Sequence, residues 1–235
     1  MICEHNFEDI ETICCKHKKC SKCGVIIKTD LCSYHKPNSE KYSGKEYFKD
    51  IEPNLFSEGI PNNMKSIKEH IPIFNKIGFH IIRNKNLIEI GSGTGRLVPL
   101  FLRLGVNYVG IETNPWACKY VANSYFVPVI ERHFEDIEVD DNCFDYVVCI
   151  HTLEHLKKAD FAFEKMARIL KPGGIMFIEI PDDTDLYNPD HFWFFNESVL
   201  TGWAEKIGLK KIGFLKQKIV ERENFLYFLF EKRKV

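Results

Sequence analysis

The sequence predicts an α/β fold: a seven-stranded, mostly parallel sheet with helices on both faces and an antiparallel last strand. Three observations carry this. From Asn86 onward, apolar runs of strand length alternate with helix-like segments, the pattern of units that lay their strands side by side in parallel. The first run, Leu87-Ile88-Glu89-Ile90, passes directly into Gly91-Ser92-Gly93-Thr94-Gly95, a turn with glycine at every second position. The last two runs are separated by Glu221-Arg222-Glu223-Asn224 and by no helix, so they form a hairpin and the final strand runs antiparallel.

The elements follow in order. Residues 1–35 are crowded with cysteine and read as a small module of their own. Residues 36–63, rich in Pro, Asn, Ser and Lys, read as a linker, with Tyr42 and Tyr47 available as an aromatic lid. Residues 64–235 form the α/β domain. It opens with a helix-like stretch from Met64 to Arg83, in which Ile67, Ile71, Phe74 and Ile77 recur at spacings of three and four. Pro72 is expected to break or kink it. Strands are expected near 86–90, 107–111, 127–131, 144–150, 174–180, 209–217 and 224–231, and helices near 95–104, 115–124, 160–170 and 196–207. A chain of 235 residues holds one such domain plus an appendage, and a core of that size needs no staples.

A turn so rich in glycine can take positive φ and bring its backbone close to a ligand. The next strand, Tyr108 to Ile111, ends in Glu112. That is about 20 residues past the first glycine, where nucleotide-binding α/β folds place the carboxylate that holds the ribose hydroxyls. Glycine spacing decides which nucleotide. Here it is G-x-G-x-G followed by Arg96, not the G-x-G-x-x-G of a dinucleotide turn, and no Gly-Lys-Ser/Thr follows for a phosphate loop.

Other segments fall into step with this turn. Phe144-Asp145 opens a strand, Thr152-Leu153-Glu154-His155-Leu156 follows it, and Leu170-Lys171-Pro172-Gly173-Gly174 leads into the next strand. In order and wording they resemble the class I S-adenosylmethionine-dependent methyltransferases, a Rossmann-like family. The likeness is greatest to its small-molecule branch, with ubiquinone-type O-methyltransferases and sugar C-methyltransferases, and it spans Met64 to Val235. The resemblance implies methyl transfer from S-adenosylmethionine to a small acceptor, sugar-like or a biosynthetic intermediate. It implies that Gly91, Ser92, Gly93 and Gly95 lie against the methionine part of the cofactor and that Glu89 organises its amino group. Glu112, with Thr113 beside it, would take the ribose, and the His151 backbone would lie under the methionine end. Where relatives carry an Asp for the adenine amino group, this chain has His133. That departure leaves the base to Glu135 or Asp136, to the Phe134 backbone, or to His133 itself.

Six of the nine cysteines fall in the first 32 residues. In a chain with no secretory signal pattern, such a cluster points to metal rather than disulfides. Cys20-Ser21-Lys22-Cys23-Gly24 is a zinc knuckle, and Cys3-Glu4-His5 supplies the second pair. One structural zinc on Cys3, His5, Cys20 and Cys23 is therefore expected, with Cys14, Cys15, His17, Cys32 and His35 as competing ligands. The alternative is a set of reduced surface thiols. Removal of residues 1–35 is expected to leave cofactor binding largely intact, because the glycine turn and Glu112 lie outside them.

Transfer from a sulfonium mainly requires positioning, with a general base where the acceptor is a hydroxyl or a carbon acid. The loops after the fourth and fifth strands face the donor, and they offer His155, Asp182, His191 and Trp193. His191 is the leading candidate for base, with His155 and Asp182 beside it. Phe192 to Phe195 form an aromatic run that in part plugs the following helix, capped by Asn196, onto the sheet. His151 and His155 lack the HExxH spacing of a metal pair.

Formal net charge is −1 with no long basic run, which disfavours nucleic acid and membrane surfaces as partners. No apolar run reaches the length of a membrane span and the N-terminus lacks a signal pattern, so a cytoplasmic location is expected. Two other readings stand beside the leading one: an RNA or protein methyltransferase with the zinc module as substrate handle, and a non-catalytic cofactor-binding scaffold. A nicotinamide dehydrogenase fails on glycine spacing.

Overall fold

A computed structural model describes residues 2–10, 16–29, 45, 63–182, 190–220 and 223–234. Three short strands open the chain: β1 (Phe7–Ile10), β2 (His17–Cys20) and β3 (Ile26–Lys28). After α1 (Asn63–Ile77) come β4 (Asn86–Ile90), α2 (Val98–Arg103), β5 (Asn107–Glu112), α3 (Pro115–Tyr125) and β6 (Val129–Glu131). The second half holds β7 (Phe144–Ile150), α4 (Ala159–Ile169), β8 (Leu170–Pro181), β9 (Trp193–Phe194), α5 (Glu197–Lys206), β10 (Leu209–Val220) and β11 (Glu223–Lys232).

The main sheet has the order β10-β11-β8-β7-β4-β5-β6. Strands β4 to β8 pair in parallel, and β11 lies antiparallel between β8 and β10. The expected seven strands and the antiparallel last one are present. Because β5 and β7 flank β4, the chain reverses direction across the sheet at β4, and the crevice beyond its carboxyl end is where such sheets bind ligands. Alternate residues face opposite layers. Ile88, Val147, Ile178 and Phe228 pack with Phe163 of α4 and Trp203 of α5, whereas Leu87, Val148, Phe177 and Leu229 pack with Phe74 of α1 and Phe101 of α2.

Three local expectations shift. The helix expected from 95 begins at Val98, because Gly91, Gly93 and Gly95 sit at φ +76°, +51° and +74° and keep 91–95 a turn. Pro72 does not end α1, which runs through it to Ile77. Pro72 and Lys68, whose carbonyl loses its partner, are both exposed, so water can take that place. Strand β8 starts at Leu170 rather than 174, since Leu170 already pairs with Phe144.

The larger shift concerns the N-terminus. Strands β1, β2 and β3 form a second sheet whose fourth strand is β9, with Ile26 opposite Phe194 and Ile27 opposite Trp193. Ile2, Cys3, Cys20 and Val25 are buried in the same core cluster as Trp193, Phe195 and Trp203. Aromatic side chains of this size bury about 150–250 Å² each. The described residues 2–10 and 16–29 therefore share this core, and stripping them away would bare that aromatic surface. Cys14, Cys15, Cys32, His35, Tyr42 and Tyr47 lie outside the described residues. No described helix is long and apolar enough to cross a membrane.

Candidate active site

The turn after β4 and the tip of β5 are fastened together. Gly91 and Ser92 donate their backbone N–H groups to the Ile111 carbonyl at 2.8 and 3.0 Å, and Gly93 N–H donates to Glu112 Oε2 at 2.9 Å. Glu112 Oε1 accepts from the backbone N–H groups of Thr113 and Asn114 at 2.7 and 2.8 Å. Oε1 also takes the Thr113 hydroxyl at 3.3 Å, so Oε2, with one donor, is the oxygen that keeps acceptor capacity for a ribose hydroxyl. Only glycine fits at 91: a Cβ there would stand 2.0 Å from Thr152 Oγ1.

Glu89 ends buried in the same crevice. Tyr108 donates its hydroxyl to Glu89 Oε2 at 2.5 Å. Burial pushes its carboxyl up to about 7, against the pull of Tyr108, Arg96 and His70. A carboxylate held this way gains when an ammonium group arrives beside it. These features fit the expected cofactor: small-residue backbone for the methionine part, Glu89 for the amino group and Glu112 for the ribose.

On the adenine side, His133 is exposed and stands just before a short 3-10 turn, Phe134–Asp136, with no capping bond from its side chain. Phe134 is 2% exposed, so its ring belongs to the core and not to a base-stacking surface. Glu135 is half-buried, and Thr113 is exposed beside Glu112. Sequence reading missed Lys165. Its ammonium is buried beneath this turn, donates to the carbonyls of Phe134 at 2.6 Å and Ile137, and lies 4.7 Å from the Phe134 ring.

Past β7 and β8 lies a polar network that the sequence reading gave only in part. Glu179, a lone carboxylate in the apolar run of β8, is 3% exposed. It pairs with His70 Nε2 of α1 at 2.9 Å and with His151 Nε2 at 3.0 Å. Burial alone would raise its carboxyl, but the two histidines hold it down at about 2. His151, at φ +47°, also lies 3.6 Å from Glu154 Oε1. Burial disfavours its cation, yet Glu154 and Glu179 push it up to about 10. The two carboxylates at 3.0 and 3.6 Å thus favour the cationic form of His151.

Glu154 is 1% exposed and, among the described residues, neither of its oxygens accepts a hydrogen bond. His155 and His191 face it. Their rings meet edge to face at 4.7 Å, and the ligand atoms of Glu154, His155 and His191 lie within 4.8 Å of one another. His155 Nδ1 donates to the Asp190 carbonyl at 2.9 Å, which leaves Nε2, 3.9 Å from Glu154 Oε1, as the acceptor nitrogen. His191 is 5% exposed. The structure therefore brings His155 and His191 together around Glu154, while Asp182 forms an ion pair with Lys216 of β10 and lines the groove between α5 and β10. Trp193, expected on the acceptor wall, is buried against Trp203, 5.8 Å between ring centroids.

The four expected zinc ligands converge. Cys3 and Cys20 Sγ are 4.0 Å apart, and Cys23 Sγ lies 3.6 Å from His5 Nδ1. A tetrahedron with metal–sulfur bonds of about 2.3 Å has edges of about 3.8 Å, so this spacing suits a metal, and Cys3, Cys20 and Cys23 are free thiols in this structure. Gly24, at φ +81°, closes the knuckle with its N–H on the Cys20 carbonyl at 2.8 Å. Burial favours the Cys20 thiol, but His5 and the knuckle N–H groups lower it to about 6, while burial and the neighbouring Cys23 and Cys20 push Cys3 up to about 12. His17 is elsewhere, its ring 5.2 Å from that of Phe194.

Comparison with known proteins agrees with this geometry. A ubiquinone biosynthesis O-methyltransferase of Colwellia psychrerythraea is 25% identical over 65% of this chain and 72% of its own length. Those of Rhodopseudomonas palustris and Rattus norvegicus are 32% and 28% identical, over 39% and 43% of this chain. The match spans only 38% and 32% of their length. Among solved structures, an S-adenosylmethionine dependent methyltransferase from Mesorhizobium loti aligns with a TM-score of 0.55 at 11% identity, over 64% of this chain and 92% of that one. The cyclase SpnF aligns with a TM-score of 0.60 at 14% identity, over 72% and 81%, so the fold alone does not fix the chemistry. Residues 64–212, more than half of the chain, match the methyltransferase domain family, and the chain belongs to it as a class I S-adenosylmethionine-dependent methyltransferase.

Proposed function

We propose that the protein methylates a small molecule, a sugar-like compound or a biosynthetic intermediate, at a hydroxyl or similarly acidic group. The observation that carries this is the placement of Glu154, His155 and His191 at the carboxyl end of β7, beside the crevice that Glu89, the glycine turn and Glu112 line. The bound donor supplies an electrophilic methyl on a positively charged sulfur. The chain's own residues do the rest. Gly91, Ser92, Gly93 and Gly95 give close backbone contact, Glu89 holds the ammonium, and Glu112 holds the ribose. At the acceptor, His155 Nε2 would take the proton that the methylated group gives up. Glu154 stabilises the imidazolium, and His191 packs the ring of His155 in place. This gives His155 the role the sequence assigned first to His191, because His191 is the more deeply buried.

Zinc on Cys3, His5, Cys20 and Cys23 completes the proposal, in a structural role. The four residues leave no open position for chemistry at the metal. Native mass spectrometry of the purified chain tests both metal and cofactor. A methyl-transfer assay over catechols, phenols and sugar nucleotides tests the acceptor class. Turnover of RNA or protein in place of these would favour the handle reading of the module, and donor binding without any turnover would favour the scaffold.

A further inference from the structure

The metal site and the proposed acceptor site are connected by a short and continuous path. Cys20 ends β2 and Cys23 lies in the turn that leads to β3. Strand β3 is the partner of β9 in the second sheet. At the end of that pairing, Lys28 donates its N–H to the Phe192 carbonyl at 2.9 Å, and Phe192 donates its own to the Glu154 carbonyl at 2.9 Å. The Asp190 carbonyl fixes the tautomer of His155, and His191 lies between it and Phe192. The histidine ligand contributes a second strand to this path. His5 lies 6.0 Å, ring to ring, from both Trp193 and Trp203, and its Nε2 faces Asp160 of α4 at 3.7 Å, where a metal-bound imidazole finds its outer carboxylate.

We infer that the four-ligand site positions the Glu154–His155–His191 cluster: metal there holds β2 and β3 in the register that, through β9, seats residues 190–194 against Glu154. This rests on the zinc reading proposed above and adds a task to it. Strands of four and three residues are too short to hold a sheet unaided. Binding energy at a site assembled only on folding is folding energy for what surrounds it. The glycine turn is reached by another route, since its bonds run to Ile111 and Glu112 within the main sheet. Metal loss should therefore loosen the acceptor side and spare the donor side.

The test uses the full chain. Zinc is quantified as purified, then removed by chelation, and hydrogen exchange is followed by mass spectrometry in peptides covering 190–196, 153–156 and 89–95. A Cys23→Ser chain is run in parallel. If that variant fails to fold, the chelated wild-type chain carries the comparison. The inference expects exchange at 190–196 and 153–156 to rise about tenfold or more on metal loss, with 89–95 unchanged. The dissociation constant for S-adenosylmethionine should move by less than about twofold. Absence of zinc, both as purified and after addition of zinc salt, overturns the metal reading and this inference with it. Bound zinc whose removal leaves 190–196 unchanged overturns the inference and leaves the metal reading standing. A rise of equal size at 89–95 with loss of donor binding makes the site a general stabiliser and equally overturns it.

Discussion

Gly93 donates its backbone N–H to Glu112 Oε2 at 2.9 Å, so the glycine turn after β4 and the carboxylate at the tip of β5 form one unit. Glu112 is oriented in advance of any ligand. Glu112→Ala should weaken S-adenosylmethionine binding at least about tenfold, the equivalent of ~1.4 kcal/mol, and should also lower thermal stability, because three backbone N–H groups lose their acceptor. Gly93→Val, which places a branched side chain at φ +51°, should do the same at greater structural cost. Calorimetry on the two variants checks both. A Glu112→Ala chain that binds like wild type contradicts the ribose role.

Glu89 predicts a pH dependence. Its carboxyl is raised from 4.5 to about 7 by burial. The folded chain prefers it protonated, so its contribution to stability is present below 4.5 and is lost as pH rises through about 7. Donor binding runs the other way, because the ammonium group needs the ionised form. Affinity should fall about tenfold between pH 8 and pH 6, and Glu89→Gln should bind weakly with that slope removed.

Glu179 predicts a stability effect. Glu179→Gln takes the shared carboxylate from His70 and His151, which can each shed a proton, so it should cost about 1–3 kcal/mol, read from denaturant unfolding. The sign differs for the two sides of the pair. The depressed carboxyl of Glu179 contributes above 4.5 and is lost as pH falls through about 2. The raised imidazole of His151 contributes fully below 6.5 and is lost as pH climbs through about 10. Wild type should therefore hold this stabilisation near neutrality and shed it toward both extremes.

Lys165 ties the turn at 134–137 to α4 through buried carbonyl contacts. Lys165→Met should raise the donor's dissociation constant several-fold, up to about tenfold, and speed amide exchange in 133–137 while 153–156 stays protected. Unchanged donor affinity would remove this turn from the cofactor site.

His155 and His191 should separate in kinetics once an acceptor is found. His155→Ala should cut kcat by about 10²–10⁴ at nearly constant donor affinity. His191→Phe, which keeps the packing, should cost far less than His191→Ala. The reverse order would return the base to His191.

Much of this was legible in the chain because local chemistry dictates it. Gly91, Gly93 and Gly95 demand a turn at positive φ, and Glu112 follows at the spacing of one βα unit. Cys3, His5, Cys20 and Cys23 were recognisable from knuckle spacing, and the fold brings them within ligand distance. What escaped depends on long-range pairing. Nothing in Trp193-Phe194 announces a strand, since two residues carry no period and their partner β3 lies over 160 positions earlier. The buried charges did leave a signal. Glu179 interrupts an apolar strand, and Lys165 sits three residues after Ala162 and four before Ile169 on the buried face of α4. A charge at a core position implies a partner, but only the fold supplies its name: His70 and His151 for one, the 134–137 carbonyls for the other.

Methyl transfer begins at the donor site, which titration calorimetry of the full chain can read. S-adenosylmethionine and its demethylated product should each bind at one site per chain, and Glu112→Ala should weaken both. No binding of either by the wild-type chain, or tighter binding of NAD, would contradict this assignment of the donor site.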